Sequence, residues 1–74
     1  MLREHLAEAE RRVAETEERV AQQRQLVLRL VDCGDADLAW GASVGLAEMQ
    51  KLLASQIADR DRIAEELAKA GGTH

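Results

Sequence analysis

The sequence predicts an all-α protein: an antiparallel two-helix hairpin of the coiled-coil kind that dimerises into a four-helix bundle. Three observations carry that expectation. First, Leu2, Leu6, Ala9, Val13, Thr16, Val20, Gln23, Val27 and Leu30 form a stripe spaced alternately by four residues and three. Such spacing lays a seam along one side of an α-helix and calls for a partner helix. Second, there is no proline, and the five glycines (Gly34, Gly41, Gly45, Gly71 and Gly72) leave the stretch before Gly34 without a breaker. Third, a second apolar stripe follows Gly34: Leu46, Met49, Leu53, Ile57, Arg60, Ala64 and Leu67, widened by Leu38, Ala42, Leu52 and Ile63.

Helix 1 is expected over about residues 2–32. With Leu6, Val13, Val20 and Val27 at a, the d positions are Leu2, Ala9, Thr16, Gln23 and Leu30. Thr16 and Gln23 stand where Leu binds more tightly. Polar residues at such positions lower stability and restrict register; the other reading is that both reach water at the edge of a loose bundle. A further seven-residue repeat, Ala7, Ala14, Ala21 and Leu28, lies outside the seam. It reflects helix propensity or the close approach of another helix. Glu8 to Arg12 and Glu15 to Arg19 are i,i+4 pairs with the acid placed first, the better orientation, on a solvated face.

The turn is expected at about residues 33–36, with Gly34 as the left-handed residue and Asp35 or Asp37 capping the next helix. So short a connection makes the helices antiparallel neighbours within one domain, 1–74. Helix 2 is expected over about residues 36–68, with a frayed tail over 69–74. Its stripe is nearer a period of 3.6 than 3.5, which predicts a broad face. Counting outward from the turn places Val13 near Ile57, Leu6 near Ala64 and Leu2 near Leu67. Arg60 then arrives opposite Ala9 and Glu10, where an Arg60 to Glu10 ion pair is expected.

Near the turn the apolar residues outnumber what one seam can hide. Leu26, Leu28, Val31, Leu38, Trp40 and Val44 cannot all face the partner helix, so with Gly41 and Gly45 they are the candidate interaction residues. Two glycines one turn apart in a helix each cost about 1 kcal/mol against alanine, and a neighbouring backbone or a docked Trp40 ring would offset that. The expected cover is a second copy, giving a homodimer; an unidentified protein partner is the competitor.

Composition narrows the chemistry. The 14 acids and 10 bases are interleaved, for a net charge of -4, which argues against nucleic acid as a partner because phosphate binding needs clustered bases. The longest apolar-rich run, Leu26 to Val31, contains Arg29 and falls far short of the roughly 20 residues of a membrane span. One cysteine, Cys33, and the lack of a basic-then-apolar leader predict a reduced, cytoplasmic protein. Cys33 has no Lys, Arg or His beside it in the turn and reads as a small packing residue. His5 and His74 stand at opposite ends and no Glu-x-x-His pair exists, so no metal or cofactor is expected. Asp59-Arg60-Asp61-Arg62 is read as a solvated face with one inward Arg, because on a helix these side chains point around the cylinder. No nucleophile motif or phosphate-binding glycine loop is present, so no catalytic residue is expected.

The stretches His5-Leu6-Ala7-Glu8-Ala9-Glu10-Arg11-Arg12-Val13-Ala14-Glu15 and Ile57-Ala58-Asp59-Arg60-Asp61-Arg62-Ile63 resemble a family of short helical-hairpin proteins of proteobacteria that have no assigned activity. The likeness covers most of helix 1 and the last third of helix 2. Family members often carry histidines where this chain has Arg12 and Arg19, and their turn differs from Cys33 to Gly45. The resemblance implies the hairpin and no chemistry. Two function classes follow: a non-enzymatic interaction or scaffold protein, or a ligand- or metal-binding bundle with Thr16, Gln23, Gln56 and Arg60 lining a site.

Overall fold

The computed structural model describes residues 1–72 as two helices, α1 (Leu2–Asp32) and α2 (Ala36–Gly72), packed along each other in a rod of 61 × 14 × 14 Å. This is the all-α hairpin that the seam and the breaker-free stretches imply. The nine seam residues of α1, Leu2 through Leu30, are buried or half-buried, and every other residue of α1 is exposed. One partner helix is enough to explain that pattern, because a 3.5-residue repeat presents a single narrow strip.

Three residues, Cys33, Gly34 and Asp35, reverse the chain. Gly34 takes φ 76°, a left-handed conformation that favours glycine. Its N–H donates to the Val31 carbonyl, and the Asp35 N–H donates to the Leu30 carbonyl, both at 3.0 Å. Together these close α1 in a Schellman motif. Asp35 then caps α2 by accepting the Leu38 N–H on Oδ1 at 3.2 Å, while its own carbonyl accepts the Ala39 N–H at 2.9 Å. The residue that completes the first helix therefore starts the second, and the helices are held side by side from their first turn. Asp35→Ala is expected to keep the helix content and lower stability by about 1 kcal/mol, or several degrees in Tm by circular dichroism. An unchanged Tm would show that this cap contributes nothing.

Two expectations for α2 need correction. Its buried and half-buried residues include Ala39, Ala42, Leu46, Met49, Leu53, Gln56, Arg60, Ile63 and Leu67, again spaced by three and four, with Ser43, Gly45, Ile57 and Ala64 half-buried beside them. The repeat is the 3.5 of a coiled coil, not the broad 3.6 face. Leu38 and Leu52, expected to widen that face, are exposed. A third helix would be needed to cover them, and the hairpin has none. The helix also runs on to Gly72, past the expected stop near Ala68. Glycine weakens a helix without forbidding it, no proline stops the chain, and the last turns carry a Lys69–Glu65 ion pair at 3.7 Å. The rest of the expected frayed tail, Thr73 and His74, lies outside the described residues.

The core is slender. Among the described residues Val13 (2 % exposed), Val20, Ala39 and Thr16 are buried, and no large side chain is fully enclosed. A domain of this size with so small a core has little stability to spare.

Candidate interaction surface at the turn end of the hairpin

Six of the large apolar side chains that the seam leaves out lie near the turn. Leu26, Leu28, Val31, Leu38, Trp40 and Val44 are all exposed, Trp40 at 74 % and Leu28 at 53 %. The cause lies in the local sequence. Residues 26–31 are apolar around most of the helix, yet α2 covers only Val27 and Leu30 among them. Across the seam the buried residue is Ala39, which leaves Leu38 and Trp40 on its two sides in solvent. Val31, Gly34, Ala36, Ala39, Trp40 and Ser43 enclose a shallow depression of about 330 Å³ with a mostly apolar lining. The Ser43 hydroxyl does not face it as a free donor, since it donates to the Ala39 carbonyl at 2.8 Å.

The two helix glycines have different roles. Gly45 is half-buried, and a Cβ there would lie 3.3 Å from Nε2 of Gln23. Gln23 in turn donates to the Ala42 carbonyl at 2.9 Å. Gly45 thus makes room for a side chain of its own hairpin, which corrects the expectation that a second backbone or a Trp ring requires it. Gly41 has nothing within 4 Å of the place where a Cβ would sit. The Trp40 ring is likewise not docked on its own chain. Gln23 and Thr16 do not sit at a wet edge: Thr16 is buried and Gln23 is half-buried and bonded across the seam. A slip by one heptad would separate Gln23 from both Ala42 and the gap at Gly45, so this contact fixes the register of the two helices.

The inner polar residues are spread out rather than gathered. Arg60 folds along its own helix to Asp61, with Nη2 to Oδ1 at 3.0 Å, rather than crossing to Glu10 as expected. The neighbouring carboxylate lies within reach without a crossing. Gln56 Oε1 is buried without a hydrogen-bond partner, an arrangement that costs about 1–3 kcal/mol. Thr16, Gln23, Gln56 and Arg60 lie at successive levels along the rod. None of them lines the depression at the turn or the polar one formed by Glu15, Glu18, Arg19 and Gln22. Among the described residues no three His, Cys, Asp or Glu side chains are grouped to hold a metal ion. Cys33 is exposed, which corrects the packing role expected of it. It is the C-cap of α1, where the helix ends and no element lies over the side chain. On the outer faces Glu8 pairs with Arg12 at 3.0 Å and Arg62 with Asp59 at 3.2 Å. Exposed pairs of this kind contribute only about 0–1 kcal/mol.

The class that the fold defines is the all-α helical hairpin. In comparisons with protein-family models, curated proteins and solved structures, nothing matches this chain. Among the described residues no helix is long and apolar enough to cross a membrane.

Proposed function

We propose that this chain is a non-enzymatic helical interaction protein that self-associates as a homodimer through the turn end of its hairpin. The observation that supports this reading is the exposure of Trp40, at 74 %, beside the exposed Val31 on the border of the same depression. Large contiguous apolar patches on a protein surface mark interaction sites. The slender core points the same way, because a second copy would supply burial that the hairpin lacks. A four-helix bundle is the assembly this implies, and a reduced, cytoplasmic setting, in which Cys33 stays a thiol, belongs to the same proposal. Kinship with the proteobacterial hairpin proteins would add no activity to it.

Sedimentation equilibrium of the full chain at micromolar concentration tests the proposal, with the fluorescence of the sole tryptophan read in parallel. The expected result is a dimer with blue-shifted Trp40 emission. A monomer with red, water-exposed emission would overturn self-association and leave the same patch as a docking site for a different protein.

A further inference from the structure

We infer that the two copies lie side by side with their turns at the same end, Leu28 of each packed on Trp40 of the other. This rests on the self-association proposed above and adds its geometry. Val31 of α1 and Trp40 and Ser43 of α2 border one depression, so they share a side of the hairpin. Leu28 lies one helical turn before Val31 on the same strip. Going down the rod in steps of seven, Leu28 is followed by Ala21 and Ala14, and Trp40 by Ala47 and Ala54. All four alanines are exposed.

The levels also match. Residues about equally far from the turn stand at the same height on the rod, because the nine inward residues of α1, counted back from Leu30, and the nine of α2, counted on from Ala39, keep the same three-and-four steps. Leu28 and Trp40 are both six residues from Gly34, Ala21 and Ala47 both 13, and Ala14 and Ala54 both 20. A two-fold axis along the rod sets α1 of one copy antiparallel against α2 of the other without changing height. The contact is isologous, so each pairing occurs twice. Leu28 then meets Trp40, and beneath them alanine meets alanine, which lets the backbones approach closely.

The opposite arrangement, turn to tail, is poorer. It sets Trp40 against Asp61 and Leu28 against Ala7. Area is consistent with a contact confined to the turn half. Half the length of a 61 × 14 Å face gives on the order of 1,000 Å² over both copies, the low end for a specific dimer. Lower down, Ala7 comes level with the charged Asp61, and the apolar contact ends there.

The native thiol reports the arrangement, because Cys33 is exposed at the turn. A short bis-maleimide should cross-link most of the wild-type chain into a covalent dimer at a concentration where Trp40→Glu gives none. Ala47→Glu, on the exposed strip beneath Trp40, should keep the helix content and weaken the dimer about tenfold by sedimentation. A wild type that sediments as a dimer yet does not cross-link, or an Ala47→Glu variant with an unchanged dissociation constant, would overturn this geometry while leaving self-association standing. A monomeric wild type would instead overturn the self-association on which it rests.

Discussion

Val13→Glu is expected to unfold the hairpin. Val13 is the most deeply buried residue of the core, at 2 % exposed, and sits between Ala9 and Thr16 at the middle of the seam of α1. A carboxylate placed there would lose its hydration with no partner supplied by the seam, and such a change destabilises by about 3 kcal/mol or more. A 74-residue chain with four buried residues among those described has little reserve beyond that. Far-ultraviolet circular dichroism should therefore show most of the helical signal gone at 25 °C, or a melting transition lowered by more than 15 °C. Gln25→Glu, on the exposed face of the same helix, should remain within about 0.5 kcal/mol of the parent. Equal melting of both variants would mean that α1 and α2 do not pair along this seam. Ile57→Glu, on the half-buried flank of α2, should lie between the two.

The contrast between the helices shows what was legible in the sequence. In α1 polar and charged residues, with Ala7, Ala14 and Ala21, fill the positions outside the stripe except near the turn, so the nine inward residues can be assigned from spacing alone. In α2 the stripe is surrounded by Ala, Gly and surplus Leu, and residue type no longer separates inside from outside. By residue type Leu38 reads as inward and Ala39 does not, although the helix turns Ala39 onto the seam and leaves Leu38 exposed. The regular three-and-four count back from Leu46 through Ala42 to Ala39 was the signal available. Gln56 fits the same count, but a buried amide oxygen without a partner is not something that a hydrophobic pattern proposes. The role of Gly45 was hidden for a different reason. A glycine opposite a glutamine is recognisable only when the register is known, and the register depends on that very contact. The surplus of apolar residues at the turn, by contrast, was legible by counting, because two helices offer one seam and the residues exceed its capacity. What covers them is written in no single chain.

Trp40→Glu is expected to convert the proposed dimer to a monomer without loss of helix. The substitution falls on an exposed position of the hairpin, so nothing within the chain needs the ring: it is 74 % exposed and lies outside the seam. A large change in folding would therefore contradict the structure. In the dimer, burial of a Trp removes about 150–250 Å² of surface, and the two-fold axis counts the loss twice. Even if half of that gain is offset by ordering the contact, the dissociation constant should rise at least about 100-fold, equivalent to roughly 2.7 kcal/mol. Leu28→Glu should weaken the dimer by a similar path but less, because Leu offers a smaller area. Trp40→Phe, which keeps an aromatic ring, should retain most of the association. The readout is sedimentation at several concentrations beside circular dichroism on the same samples. If Trp40→Glu dimerises as tightly as the wild type with its helix intact, the turn end does not hold two copies together, and the seven large exposed apolar residues from Leu26 to Leu52 require another explanation.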